Sequence, residues 1–407
     1  MTRLSVGQTI ELTVEKPAAG GWMIGRVDGQ VILVSGTIPG ERVLARIDKT
    51  GKGVTYAGAT AVLEPSPHRR APFTDSACGG LLYAHISYAK QLEIKAAVIA
   101  DAFGRIGRLP LTAAVAVAPS PEYGYRMRAR LHVREGRWGF FREGTHTLCD
   151  ARATQQLLPE SCDAIDETVS RLAAGGAASS VVSEIEISEN VDASERGMFF
   201  ETSDGRSIAA DRFLARAEER HTVTDRLTIL GQRVELTRHV LAFFQGNRFL
   251  LDRLVTHAVG ALESAASAID LYAGVGLFAI SAAVCKGVRV TAVEGDRISA
   301  ADLRGNAERC GGRVRAVHEA VEAFTSRTDE RPDVVIVDPP RTGMSREALD
   351  GAMRLGSARV VYVSCDVATL ARDARRLVDA GYALTAVDGF DLFPNTPHVE
   401  TVAVFDR

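Results

Sequence analysis

The chain lacks the long apolar segments and the paired cysteines that mark membrane and secreted proteins. Its 407 residues contain no run of about 18 apolar residues, the length of a membrane-spanning segment. The opening residues, MTRLSVGQTIELTVE, lack the apolar core of a signal peptide. The six cysteines are scattered without CxxC spacing, which is typical of a reducing compartment rather than a disulfide scaffold. We therefore expect a cytoplasmic protein with no membrane partner.

The chain also has little net charge, with a formal value of -3 at pH 7. Because no global basic character is present, any nucleic-acid site must be a local patch. Arginines alternate with aromatic residues in residues 122–146. Those that would share one face of a strand are Arg126, Arg128, Arg130 and Arg134. With Tyr125 and Phe141 they predict a surface for single-stranded RNA; a solvated strand face is the alternative.

The order of apolar and turn-forming residues divides the chain into three predicted regions. Short alternating runs broken by glycine and proline predict a small β-barrel in residues 1–62. A helix over 82–105, followed by alternating strands, predicts a central β-rich α+β region at 63–225. In residues 226–407 apolar strands alternate with helical stretches, the pattern of a doubly wound parallel sheet. The predicted fold class is therefore α/β, with a Rossmann-like domain after two smaller ones.

A cofactor site is indicated where the first strand of that sheet ends. DLYAGVGLF, residues 270–278, places Gly274 and Gly276 at a strand-to-helix turn, where backbone can approach a ligand closely. Ala279 replaces the third glycine of a dinucleotide fingerprint, which disfavours a pyrophosphate cofactor. Glu294 ends the next strand, where an acid commonly holds ribose hydroxyls. The pattern favours S-adenosylmethionine over NAD or purely structural glycines.

Two later strands end in side chains that can carry chemistry. Asp338 follows an apolar strand and precedes two prolines, while Cys365 lies where a strand becomes a helix. Ligands bind beyond the carboxyl ends of such strands, and a helix start lowers the pKa of a thiol. For Asp338 a functional role is therefore favoured over that of a turn residue. For Cys365 it is favoured over that of a buried small side chain. Arg341 follows Pro340 where amino-group methyltransferases often have an aromatic residue, which disfavours methylation of an exocyclic amine.

Two further motifs supply an amide and a second carboxylate. Gln245, in FFQGN, lies shortly before the first strand of the predicted sheet, where its amide can bond a base edge or the cofactor. Glu400 follows the rigid loop FPNTPH. The alternatives are a turn residue for Gln245 and a solvated carboxylate for Glu400.

Together FFQGN, DLYAGVGLF, DPPRTG, SCDVATLARD and FPNTPHVE resemble the RNA uracil-5-methyltransferases, in family order and over nearly the whole chain. The resemblance implies that residues 1–62 form a TRAM domain, an OB-like RNA-binding barrel, and that the helix at 82–105 packs against the catalytic domain. It implies Cys365 as the nucleophile and Glu400 as the proton-abstracting base. The family usually has Asn at Asp366, whose charge would raise the pKa of the thiol slightly. The implied cofactor contacts, beside the turn at Gly274 and Gly276, are Gln245, Tyr272, Glu294 and Asp338.

A second departure from the family concerns metal. Many members hold an iron–sulfur cluster with four cysteines, three of them around a CGGC element. Here Cys78 is retained, but Leu81 and Thr154 stand where two of the others are expected. Cys149 and Cys162 are nearby but displaced. Since a cubane cluster needs four thiolates, we expect no iron–sulfur cluster and no metal.

The implied activity is methyl transfer from S-adenosylmethionine to C5 of a specific uridine in RNA, through a covalent bond between Cys365 and C6 of the base. Arg341 and Gln245 are expected to contact the substrate. The TRAM-like barrel favours 23S rRNA, with tRNA as the alternative. RNA cytosine-C5 methylation is disfavoured because its Pro-Cys element is absent, and intact Cys365 and Glu400 argue against a noncatalytic RNA-binding or RNA-folding protein. We expect a monomer.

Overall fold

Five strands near the amino terminus close into a barrel. The computed structural model describes residues 4–51, 53–174, 182–202, 205, 207–209 and 221–407. The strands are β1 (Thr9–Pro17), β2 (Met23–Val27), β3 (Gln30–Ser35), β4 (Arg42–Thr50) and β5 (Thr55–Glu64). They neighbour one another in the order β1-β2-β3-β5-β4. Ile10, Leu12 and Val14 of β1 are buried while alternate residues are exposed, the period of a half-buried strand. The predicted barrel is confirmed.

Helix α1 (Tyr88–Arg105) and the short strand β6 (Val117–Ala118) follow the barrel. The predicted start of this helix, residue 82, is wrong. Ile86 pairs with Arg69 in an isolated β-bridge, and Ser87 has a non-helical ψ of 142°, so helical geometry begins only at Tyr88. The predicted end at residue 105 is confirmed.

A six-stranded antiparallel sheet forms the core of the central region. Its strands are β7 (Arg128–Arg134), β8 (Arg137–Phe141), β9 (Leu148–Cys149), β10 (Val182–Glu189), β11 (Arg196–Thr202) and β12 (Ser207–Ala209). They are arranged in the order β12-β11-β10-β7-β8-β9. Helix α2 (Pro159–Ala174) packs on this sheet, where its Ile165 and Val169 share an apolar core with Leu131 and Ile185. This is the predicted β-rich α+β region.

The carboxy-terminal part alternates strands and helices around an eight-stranded sheet that includes β6. A hairpin, β13 (Thr222–Ile229) and β14 (Gln232–His239), precedes it and spans the predicted boundary at residue 226. The remaining strands of the large sheet are β15 (Ser267–Leu271), β16 (Arg289–Glu294), β17 (Val314–His318), β18 (Val334–Val337), β19 (Arg359–Ser364), β20 (Ala383–Phe390) and β21 (Glu400–Asp406). The helices are α3 (Leu251–Gly260), α4 (Leu277–Lys286), α5 (Arg297–Glu308), α6 (Val321–Arg327), α7 (Arg346–Arg354) and α8 (Val367–Asp379). Among the described residues, no helix has the length and apolar character needed to cross a membrane.

The strand order of the large sheet is β17-β16-β15-β18-β19-β21-β20-β6, and its direction of winding reverses between β15 and β18. Strands β15 to β19 run parallel, so their carboxyl ends lie along one edge. Strand β21 is antiparallel to both β19 and β20. A reversal of this kind leaves a crevice in which ligands bind. The predicted doubly wound sheet is confirmed.

Helix α1 packs against α8 and β20, although it precedes them by more than half of the chain. Ile99 and Phe103 of α1 are fully buried in the same apolar core as Leu370 and Ala371 of α8. The docking that the family resemblance implies for this helix is therefore observed.

Asp366 is the N-cap of α8. Its carboxylate accepts a hydrogen bond from the backbone N–H of Thr369 at 2.8 Å. An acid at this position satisfies an otherwise unpaired N–H and interacts favourably with the helix dipole. Since asparagine caps helices equally well, the difference from the family at Asp366 conserves the local structure.

Cys78 and Cys149 are joined by a disulfide bond. The expectation of a chain without disulfides is wrong for this pair. Cys78 pairs with Arg142 in an isolated β-bridge next to the β8–β9 ladder, which brings the two Cα atoms to 5.7 Å. Leu81 and Thr154, which lie close in sequence to Cys78 and Cys149 respectively, are both buried. Within the described ranges, no three His, Cys, Asp or Glu side chains are grouped to hold a metal ion, and the absence of an iron–sulfur cluster stays a prediction.

Loss of the Cys78–Cys149 bond should destabilise the protein. The bond links residues separated by 71 positions. By the chain-entropy estimate, closing a loop of that size contributes about 4 kcal/mol to stability. In urea without reductant, Cys149→Ser should lower the free energy of unfolding by roughly that amount. The control is Cys285→Ser, which changes a free and partly exposed cysteine. Equal losses in the two variants would contradict a stabilising bond.

Candidate active site

A cavity of about 780 Å³ opens at the edge of the large sheet where β15, β18 and β19 end. Most of the residues predicted from the sequence line it. They are Cys365, Glu400, Gln245, Tyr272, Gly274, Glu294, Asp338, Arg341, Arg126 and Arg128. Gly276, Arg130, Tyr125 and Phe141 do not line this cavity. The structure therefore brings thiol, carboxylate, amide and glycine turn into one space.

The turn after β15 is held open by Glu294. Its carboxylate accepts hydrogen bonds from the backbone N–H groups of Gly274 and Asp296, each at 2.7 Å. Gly274 has φ +55°, and a Cβ built there would meet no atom within 4 Å, because it would point into open space. Gly276 has φ +97°, and a Cβ there would lie only 2.8 Å from Leu303. Gly274 thus leaves room for a ligand, whereas Gly276 allows close helix packing.

Tyr272 is the non-glycine residue of this turn with left-handed backbone geometry, at φ +63°. Such geometry is uncommon outside glycine and is concentrated at functional sites. Tyr272 lies between the end of β15 and the glycine turn. The ring lines the cavity.

Two buried carboxyl groups, those of Asp270 and Asp338, interact where the strand order reverses between β15 and β18. Gln245 donates a hydrogen bond to Asp338 at 3.2 Å, yet burial raises the pKa of Asp338 well above its usual value. Asp270, fully buried at the end of β15, accepts a hydrogen bond from the backbone of Ala279. Burial and the nearby charge of Asp338 raise the pKa of Asp270 as well. Asp270 and Asp338 therefore hold protons more tightly than carboxyl groups in water.

Cys365 and Glu400 face the same space, and Arg341 is the cation beside them. Burial and the charges of Glu400 and Asp338 raise the pKa of the Cys365 thiol to about 11, while Arg341 lowers it through its charge and a hydrogen bond. The prediction of a lowered thiol pKa at the start of α8 is thus wrong for this structure, because desolvation and neighbouring acids outweigh the helix end. Burial, followed by the charge of Asp338, also raises the pKa of Glu400.

Known proteins resemble the chain over its full length. A 23S rRNA (uracil(1939)-C(5))-methyltransferase, RlmD of Halomonas elongata, is 30% identical, covering 98% of this chain and 89% of the relative. The chain belongs to the RNA uracil-5-methyltransferase family. The family model for tRNA (Uracil-5-)-methyltransferase matches residues 214–407, and that for the TRAM domain matches residues 3–62. The RlmD enzyme of Aeromonas salmonicida is 29% identical, over 98% of this chain and 96% of that one.

The fold agrees with this membership. The crystal structure of Pyrococcus abyssi tRNA (uracil-54, C5)-methyltransferase in complex with S-adenosyl-L-homocysteine matches this uracil-5-methyltransferase with a TM-score of 0.75. The match covers 97% of this chain and 100% of that chain at 24% identity. The predicted fold class is confirmed: a TRAM barrel precedes a class I methyltransferase domain in the chain.

Two arginines of the predicted surface of this uracil-5-methyltransferase, Arg128 and Arg130, are paired with glutamates of β10. Arg128 is paired with Glu186 at 2.7 Å, and Arg130 lies 3.5 to 3.6 Å from Glu186 and Glu184. His132 lies 3.0 Å from Glu184. These pairs follow from the register of β7 against β10, which places Glu186 opposite Arg130 and Glu184 opposite His132. Two of the four arginines of the predicted surface are therefore paired with acids, and RNA binding there stays a prediction.

The aromatic residues predicted to stack on RNA are also engaged within the protein. Tyr125 is fully buried and donates its hydroxyl to Gln156 at 3.1 Å, so it offers no ring face to a base. Arg126 donates to the same Gln156 at 2.7 Å. Phe141 stacks on His132 with ring centroids 3.5 Å apart. The prediction of Tyr125 as an RNA contact is wrong, and one face of Phe141 is already covered.

Four phenylalanines that line the cavity were not predicted as site residues, although all lie in motifs that the sequence makes visible: Phe243, Phe244, Phe278 and Phe393. Phe243, in FFQGN, is 65% exposed and has the Arg128 guanidinium 6.0 Å from its ring centroid. Phe393, in FPNTPH, also lines the cavity. The signal that could have identified Phe243 is its place two residues before Gln245 in a short polar motif.

Removal of the Arg341 cation should make Cys365 less reactive. Because Arg341 lowers the thiol pKa, Arg341→Gln should raise it and reduce the thiolate fraction at pH 8, by about tenfold for each unit of pKa. Iodoacetamide labelling of the Cys365 peptide, followed by mass spectrometry, measures this rate. Arg346→Gln serves as the control because Arg346 is 81% exposed and lies on α7, away from the cavity lining. Faster labelling of Arg341→Gln would contradict this assignment.

Proposed function

We propose that this uracil-5-methyltransferase transfers a methyl group from S-adenosylmethionine to C5 of a uridine in 23S rRNA, through a covalent intermediate on Cys365. The observation that carries the proposal is the meeting of the Cys365 thiol and the Glu400 carboxylate in one cavity with the Gly274 turn. Uracil C5 methylation requires a nucleophile for C6 and a base for the C5 proton, and this pair supplies both.

The cavity fits the methyl donor. Gly274 leaves open space at the turn, and the carboxylate of Glu294, on the adjacent strand end, suits ribose hydroxyls. Gln245 and Asp338 supply hydrogen-bonding groups on the neighbouring wall. The acidic lining also suits a sulfonium cation. The bound donor supplies the electrophilic methyl group for C5.

The residues of the chain account for the remaining steps. The Cys365 thiolate bonds to C6 of the uracil and pushes electron density towards C5 and O4. Arg341 stabilises that thiolate. Once C5 carries the methyl group, Glu400 takes the C5 proton, and the electrons of that C–H bond restore the C5–C6 double bond. The bond between sulfur and C6 breaks at the same time, and the thiolate is regenerated. A raised pKa makes Glu400 a stronger base than an ordinary glutamate.

The target base must leave its stack in the RNA before it can enter the cavity, at a cost of a few kcal/mol. Phe243 offers an exposed ring at the cavity, and aromatic rings are the platforms on which unstacked bases of RNA are held. We therefore propose that Phe243, rather than Tyr125, stacks on the RNA. The two RlmD relatives support 23S rRNA as the substrate.

Substitution of the two reactive side chains should separate the chemical steps. Cys365→Ala should abolish transfer of tritiated methyl groups to RNA while RNA affinity in a filter-binding assay stays within about twofold, since binding depends on other surfaces. Glu400→Gln should slow turnover by roughly 10² to 10⁴-fold and leave a covalent protein–RNA adduct visible on a denaturing gel. Methylation by Cys365→Ala would overturn the mechanism. Absence of methyl transfer by the unaltered protein would favour a noncatalytic RNA-binding role.

The Gly274 turn should be sensitive to a single added methyl group. Gly274→Ala places a Cβ in the open space of the cavity, and we expect affinity for S-adenosylhomocysteine, measured by calorimetry, to fall by about tenfold, equivalent to 1.4 kcal/mol. Gly287→Ala is the matched control because Gly287 also has positive φ and open space but ends α4 at the opposite edge of the sheet. An equal loss of affinity in both variants would contradict a cofactor role for the turn.

Labelled methyl transfer to total RNA from a strain that lacks the gene would identify the substrate. We expect label in 23S rRNA, and mapping of the labelled nucleotide should give 5-methyluridine. Label confined to tRNA would replace the rRNA assignment with the tRNA alternative. Label on cytosine would contradict the proposed chemistry.

A further inference from the structure

The side chain of Glu400 is placed by its backbone rather than by side-chain bonds. It is 2% exposed, and its Oε1 has no hydrogen-bond partner among the described residues. Glu400 is the first residue of β21 and lies opposite Phe390, the last residue of β20. Its position therefore depends on the connection formed by residues 391–399, which leaves β20 and returns into β21.

Helix α1 holds the beginning of this connection through Lys95. The Lys95 ammonium forms an ion pair with Asp391 and donates a hydrogen bond to the carbonyl of Phe393 at 3.1 Å. Both charged side chains are buried, at 1% and 0% exposure. A pair removed from water in this way is geometrically demanding, because breaking it leaves an uncompensated charge. Lys95 is also separate from the substrate, since it does not line the cavity.

A second contact from α1 holds the middle of the same connection. Gln91 donates to the Asn395 side chain at 2.9 Å and accepts from the Asn395 backbone N–H at 2.9 Å. Arg70 donates to the same Asn395 oxygen at 2.7 Å. Asn395 has left-handed backbone geometry at φ +65°. The turn at Asn395 is thus fixed from outside the hairpin.

The opposite side of the connection is held by the FFQGN segment. Asn247 donates to the carbonyl of Leu392 at 3.0 Å. Gly246 packs so closely on the Phe393 ring that a Cβ there would lie 3.3 Å from it. The connection is therefore clamped between α1 and the segment that carries Gln245.

We propose that Lys95 is a positioning residue for Glu400, with Gln91 as a second anchor. The inference rests on the proposed function, because it assigns the clamp to the step in which Glu400 removes the C5 proton. Cys365, by contrast, is positioned at the junction of β19 and α8, whereas the polar partners of Lys95 are Asp391 and Phe393. Loss of the clamp should then slow proton removal and leave formation of the covalent adduct nearly unchanged.

The chemistry allows these steps to be measured separately. With ordinary uridine, removal of the C5 proton restores the ring and releases the thiolate. With 5-fluorouridine, C5 carries fluorine, which cannot leave as a cation, so the methylated adduct with Cys365 persists even when the base is correctly placed. The rate of adduct formation with 5-fluorouridine RNA reports on the earlier steps alone. Turnover with ordinary RNA reports on all steps.

The test uses the full chain with Lys95→Met and with the double variant Lys95→Met/Asp391→Asn, which removes both charges and so buries no unpaired carboxylate. The matched control is Lys90→Met, on the same helix, which removes a surface ion pair with Glu93. We expect both Lys95 variants to lose at least tenfold in turnover and to accumulate adduct with ordinary RNA, as Glu400→Gln should. Their adduct formation with 5-fluorouridine RNA should stay within twofold of the unaltered protein.

Several outcomes would overturn the inference. Equal slowing of adduct formation and turnover in the double variant would show a general structural role for the ion pair. Unaltered turnover would show that the pair does not position the base. If Glu400→Gln itself retained full turnover, the assignment of Glu400 as the base, and with it the proposed function, would fail first. If Glu400→Gln trapped adduct but the Lys95 variants did not, only the role of Lys95 would fail.

Discussion

The reversal of strand order between β15 and β18 is the constraint on which the whole site depends. It leaves a crevice at the carboxyl ends of the parallel strands, where the Gly274 turn, Asp338 and Cys365 all emerge. Glu400 reaches the same edge by a different route, because β21 runs antiparallel and therefore begins where its neighbour β19 ends. One edge of one sheet thus holds the Gly274 turn, the Cys365 thiol and the Glu400 carboxylate.

Desolvation governs the electrostatics of this edge. Asp270, Asp338 and Glu400 are all buried, and burial is the largest cause of the raised pKa of each. The same environment keeps Cys365 as a thiol near neutral pH when the cavity holds no ligand. Positive charge brought among these groups favours their ionised forms, so Arg341 and a sulfonium donor act in the same direction. Ionisation of the Cys365 thiol is therefore coupled to what else is bound in the cavity.

Local sequence was sufficient to predict which side chains of the candidate site meet, and insufficient to predict their surroundings. Cys365 and Glu400 lie in short motifs at element ends, so their positions follow from strand and loop order. The pairing of Arg128 and Arg130 with glutamates could not be predicted without the register between β7 and β10, strands that are far apart in the chain. Burial of Tyr125 and the raised thiol pKa depend on packing from other elements, which periodicity does not report. The Cys78–Cys149 bond likewise needs two distant segments to meet.

The pairing of Arg128 and Arg130 with Glu184 and Glu186 has a consequence for recognition. RNA phosphates that approach this strand must compete with carboxylates already bound there, so few counterions are released from the RNA for each arginine engaged. Affinity that depends on counterion release falls steeply with ionic strength, and this surface avoids much of that dependence. RNA bound across these paired arginines would therefore lose less affinity as salt rises than RNA bound to unpaired ones.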